Sequence, residues 1–194
     1  MILPFKTNWP AHMGDMASQP TYFIQKIWEG FFFHEILPTD DLEVLQLKFI
    51  KDHRSKFGQS WDLIPDDSSR LKYPKIHTIR EDGNGRWKSG VNIDYFINSR
   101  TKNMFRFAPN IPCVSTQQLY MLKEPMGLDE NDNVNEWGVF FKIDDRVLDY
   151  NEAEELALND GFDSLEAFCQ YFDPILEPTK QKSLTLIHWT KFRY

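Results

Sequence analysis

Cysteine is almost missing from this chain: its 194 residues include only Cys113 and Cys169, with no metal-ligand spacing between them. That excludes a disulfide scaffold and a cysteine-built zinc site. The pair reads as two buried thiols of a cytoplasmic protein rather than as a disulfide. The five histidines are scattered and form no ligand pair or cluster, so no metal or cofactor is expected. No apolar run approaches the ~20 residues that span a bilayer, and Met1-Ile2-Leu3-Pro4-Phe5-Lys6 lacks a signal-peptide pattern. No membrane association is expected. Gly83-x-Gly85 is not a phosphate loop, because neither a strand-to-helix context nor a following Lys-Ser/Thr is present. Internal repeats and low-complexity tracts are missing too.

What remains is an ordinary globular balance, with 41% hydrophobic and 26% charged residues, enough to bury a core in one domain over 1–194. Sixteen Phe and six Trp supply core mass and stacking surface. The net charge of −7 is unevenly spread. Nine Lys/Arg face three Asp/Glu between Arg70 and Arg106, whereas Glu124–Glu177 holds two basic residues against sixteen acidic ones. The end, from Thr179, is basic again. Either the acidic part is solvated surface, or the molecule presents one basic face to an anionic ligand.

Periodicity and turn chemistry predict helix after Thr21 with Gly30 as its stop, and a second helix from Asp40-Asp41 to Lys56 or Gly58. A turn is expected around Pro65–Ser69. Strands are expected at Leu3–Phe5, Ile76–Arg80, Val91–Asn98, Met104–Phe107, Cys113–Lys123, Trp137–Ile143, Arg146–Leu148 and Leu184–Trp189. Asn151 is expected to cap a helix to Asn159. Asp163 or Ser164 should cap another, Leu165–Phe172, stopped by Pro174. Short, mostly antiparallel strands with helices at both ends point to an α+β fold, a small barrel or curled sheet with flanking helices.

The strand Lys75-Ile76-His77-Thr78-Ile79-Arg80-Glu81 carries the richest chemistry. Together with Phe23-x-x-x-Ile27-x-x-Gly30 it resembles the signature of the ASCH domain family, in which a helix ending in Gly is followed by a Lys-x-x-Thr-x-Arg strand. Here a partly helical insertion, about residues 31–72, separates the two parts. Trp87-x-x-Gly90, Gln117, Asp160-Gly161-Phe162-x-Ser164-x-Glu166-x-Phe168 and Ile187-His188-Trp189-Thr190 follow in the family's order. The resemblance implies a PUA-like barrel that binds RNA, single-stranded nucleic acid or a nucleoside. It also implies a possible amidohydrolase activity on N4-acetylcytidine, with Thr78 as nucleophile, Lys75 as base and Glu166 beside it, and Arg80 as the motif arginine.

Such chemistry is coherent. A threonine hydroxyl needs an adjacent base, and a lysine serves as one only when its pKa falls. Strict strand alternation puts Lys75 and Thr78 on opposite faces, so Lys75 must precede the regular strand or be redirected by a bulge. Glu81, Arg86, Trp87 and Lys88 are further ligand-binding candidates, since aromatics interleaved with cations suit base stacking plus phosphate contact. The competing reading makes those aromatics barrel core. His188 is expected to be a satisfied structural histidine. Three functions remain open: a nucleic-acid or nucleoside binding module, the amidohydrolase, and an interaction protein whose insertion closes the barrel mouth.

Overall fold

The computed structural model describes residues 1–61, 73–128, 130 and 134–194. Strand β1 (Ile2–Pro4) leads through a short 3₁₀ helix, Ala11–Met16, to α1 (Phe23–Phe33) and α2 (Thr39–Phe57). Strands β2 (His77–Arg80), β3 (Asn92–Ile97), β4 (Phe105–Arg106), β5 (Ile111–Pro112), β6 (Ser115–Leu128), β7 (Val134–Ile143) and β8 (Arg146–Val147) follow. The chain closes with α3 (Tyr150–Asn159), α4 (Leu165–Leu176) and β9 (Gln181–His188).

The fold is α+β, with two mostly antiparallel sheets. One is ordered β2-β9-β6-β7-β8; in the other, β3 is paired by β1, β4 and β5. Among the described strands, only β1 runs parallel to its neighbour. No ladder among the described residues joins the two sheets into a closed ring. Along β6, Leu119 and Met121 face inward while Tyr120 and Leu122 face solvent, the period-two alternation of a one-sided sheet. Leu156 of α3, with Phe168 and Leu176 of α4, lies within the core. Between the sheets an aromatic cluster forms around the buried Tyr95. Phe5 stacks on it at 5.8 Å, and Trp189 and Phe31 meet it edge-on at 5.5 Å. Each such pair adds about 0.5–1.5 kcal/mol beyond its burial.

Several boundaries differ from expectation for physical reasons. Gly30 does not stop α1, which runs on to Phe33 and buries Phe31. Pro174 lies inside α4, whose last residue, Leu176, is fully buried. Packing there outweighs the lost hydrogen bond. Asp149, not Asn151, caps α3: its side chain accepts the Glu152 amide, and Glu152 answers to the Asp149 amide in a capping box. Ser164 caps α4 by accepting from the Ala167 amide. Gly58 ends α2 in the left-handed region, φ 73°. The expected Pro65–Ser69 turn lies outside the described residues. Cys113 and Cys169 are free thiols. No helix among the described residues is long and apolar enough to cross a membrane.

Candidate functional site

Lys75 enters the structure just before β2 begins, with its amide donating to the Lys26 carbonyl at 2.9 Å and the next amide, of Ile76, to the Asn159 carbonyl at 3.0 Å. The backbone is therefore tied to α1 and to the end of α3 rather than to a strand neighbour. This irregular entry frees Lys75 from the alternation of β2. Lys75, Thr78 and Arg80 all line one cavity of about 540 Å³, together with Phe5, Phe23, Asp160 and Tyr171.

Lys75 is almost fully buried. Its Nζ donates to Asp160 Oδ1 at 2.6 Å and to the Asp160 carbonyl, and lies 4.9 Å from the Phe23 ring centre. Burial lowers its pKa from 10.5 to about 8, although the Asp160 charge opposes the shift. Burial alone would raise the Asp160 carboxyl, but Lys75 and His77 pull it below its ordinary value. His77 Nδ1 lies 3.4 Å from Asp160 Oδ1, too long for a strong hydrogen bond, and its Nε2 pairs with the Tyr194 hydroxyl at 2.8 Å. Asp160 thus faces the cavity on one side and a buried His-Tyr pair on the other.

Arg80 is the second cation of the cavity. Its guanidinium donates to the carbonyls of Ile79 and Pro4, at 2.9 and 2.8 Å, and lies 5.4 Å from the Phe5 ring centre. No carboxylate forms an ion pair with it among the described residues. Since Lys75 and Asp160 offset each other, the buried part of the cavity keeps the positive charge of Arg80, and exposed Lys6 adds another at the wall.

The remaining candidates are elsewhere. Glu166, expected beside Lys75, is exposed on the first turn of α4 and does not line the cavity. Its own backbone amide and the Ser164 hydroxyl hold its carboxyl below the usual value. Glu81 points outward and pairs with Lys182 at 2.8 Å. Arg86 and Lys88 are exposed on the β2–β3 connection, away from the cavity. Trp87 is core, as are Tyr95 and Phe107. His188 is buried against His77, ring centres 5.3 Å apart, and neither ring nitrogen has a partner among the described residues. It is not the satisfied histidine expected. Burial and the neighbouring His77 and Arg193 push its pKa down to about 2, so it stays neutral.

Asp160 was the residue that sequence reasoning missed. Its signal was present, an acid directly before Gly161 in the Asp160-Gly161-Phe162 run. Gly161 adopts φ 89°, and a Cβ there would meet Lys75 Cδ at 3.2 Å and Phe23 at 3.1 Å. The glycine turns the chain out of α3 and leaves room for the Lys75 stem. No group of three His, Cys, Asp or Glu side chains among the described residues is placed to hold a metal ion.

Comparison of the chain with known protein families, with characterised proteins and with solved structures returned no match.

Proposed function

We propose that the chain binds a nucleoside unit, free or within a nucleic-acid strand, in the cavity at Lys75, Thr78, Arg80 and Asp160. The observation that carries the reading is the convergence of these four side chains on one open cavity. Its volume falls within the ~300–1,000 Å³ usual for small-ligand sites. Phe5, Phe23 and Tyr171 give its lining aromatic surface for a base to pack against, while Asn98 and Ser99 offer polar groups for its edge or for a sugar. Arg80 and Lys6 favour an anionic group. The insertion supports this reading over that of an interaction protein, because no described residue of 31–61 lines the cavity.

Fluorescence titration with nucleosides, nucleotides and short oligonucleotides tests it. Binding should weaken with salt for phosphate-bearing ligands and weaken at least tenfold in Arg80→Met. Absence of binding to every nucleoside and oligonucleotide at low salt rejects the proposal.

A second reading, hydrolysis of an acylated nucleoside, has one observation in its favour. With a pKa of about 8, Lys75 is neutral in about half the molecules at pH 8, the form a general base requires, and it lines the same cavity as Thr78. Incubation with N4-acetylcytidine should then release cytidine, and Thr78→Ala should abolish the release. Turnover unchanged in Thr78→Ala would reject Thr78 as the nucleophile.

A further inference from the structure

The first cavity has a neighbour. A second cavity of about 770 Å³ shares Thr7, Asn8 and Asn98 with it, so the two lie side by side across one wall. Its far side comes from α2 and the residues just after it. His53 and Phe57 stand one helical turn apart on the same face, and Trp61 completes the group. The His53 ring lies 4.6 Å from Phe57 and 4.9 Å from Trp61, centre to centre. All three rings are half-buried, which leaves part of each open to a ligand. His53 Nδ1 pairs with the Gln59 carbonyl at 3.1 Å. A carbonyl only accepts, so Nδ1 carries a proton.

Two residues around the second cavity, one of them on the shared wall, hold unusual backbone conformations. Tyr22 and Asn98, both lining the second cavity, have φ of 54° and 51°. A tyrosine in the left-handed region is uncommon, and such positions cluster at ligand clamps.

We propose that this second cavity is a subsite for the next nucleotide of a single strand, with its base against the exposed parts of the His53, Phe57 and Trp61 rings. The inference rests on reading the first cavity as a nucleoside site, and it makes the substrate class a strand of at least two nucleotides rather than a lone nucleoside. The linking phosphodiester would cross the wall at Thr7, Asn8 and Asn98, next in the chain to Lys6. The stacking rings come from the insertion, which gives that segment a role.

The test compares ApA, CpC, GpG and UpU with the matching nucleoside 3′- and 5′-monophosphates by calorimetric titration. Charge alone favours the monophosphates, which carry more negative charge than the single phosphodiester. Stacking of a second base should reverse that order by about tenfold or more for at least one base. Trp61→Ala should remove the dinucleotide's advantage while leaving monophosphate affinity unchanged. If Trp61→Ala does not fold, as judged by circular dichroism, His53→Leu serves the same purpose. Monophosphate binding with no dinucleotide advantage overturns the second subsite and leaves the nucleoside reading intact. An advantage that survives the folded variant also overturns it, since the second base then lies elsewhere. No binding by any of these ligands overturns both.

Discussion

A Cβ on Gly30 would stand 2.6 Å from the carbonyl oxygen of Lys75, closer than any real contact allows. The glycine in α1 is therefore a spacing device: it lets the helix lie against the backbone that delivers Lys75 to the cavity. Gly30→Ala should gain about 1 kcal/mol of helix propensity and lose more through the forced separation, about 1–3 kcal/mol plus the Lys75–Lys26 backbone bond. The expected net is a loss of about 1–2 kcal/mol by urea denaturation, accompanied by weaker ligand binding. Gly83→Ala, where nothing lies within 4 Å of the added carbon, should stay within about 0.5 kcal/mol.

The buried Lys75–Asp160 pair makes a sharper prediction. Asp160→Asn leaves a buried ammonium without its counter-charge and should cost about 3–5 kcal/mol. The double variant Lys75→Met/Asp160→Leu should recover most of that loss, since neither charge then remains to be desolvated. A neutral Asp160→Asn would mean that Lys75 is already uncharged in the folded protein.

Stability should follow pH in a direction set by Lys75. Its folded pKa, about 8, lies below its ordinary 10.5. Between these values the unfolded chain holds the extra proton, so raising pH favours the folded state by up to about 1.4 kcal/mol per unit. Cys113 and Cys169 act oppositely. Burial pushes both thiols up from 9.0 to about 11, so over that interval the folded chain keeps protons the unfolded one loses. The difference between wild type and Lys75→Met isolates the lysine and should grow in favour of wild type from pH 8 to 10.5. A flat difference over that range contradicts the lowered pKa.

Removing the two acids should separate their roles. Glu166→Gln is expected to change ligand affinity less than twofold, because the carboxylate is exposed outside the cavity. Asp160→Asn should weaken binding at least tenfold in whatever fraction remains folded, measured by titration at low temperature. Equal effects would return Glu166 to the site.

The helix caps are a further check. Asp149→Ala removes the side chain that accepts the Glu152 amide and should destabilise by about 1 kcal/mol, with no change in ligand affinity per folded molecule.

What the sequence made legible was local. The strand at 77–80, the α2 interval ending at Gly58 and the closing strand all follow from patterns contained within a few residues. Two of the misplaced boundaries share one cause. Gly30 and Pro174 carry the local chemistry of helix ends, yet Phe31 and Leu176 are fully buried beyond them, and tertiary packing decides. The site divides in the same way. Thr78 and Arg80 come from one strand and could be read together. Choosing Asp160 over Glu166 required knowing which way α3 and α4 face, information that no six-residue window contains. The role of Lys75 turned on a backbone irregularity that Pro74 only permitted.

The first cavity takes walls from residues 4–8, from Phe23, from 75–80, from 98–99 and from 160–172. Segments so far apart in the chain meet only when the whole is folded. A ligand seated there is therefore linked to global unfolding: at a concentration of 100 times its Kd it should add about 2.7 kcal/mol to stability. A rise in melting temperature can thus screen for the unknown ligand without any assumption about what the protein does to it.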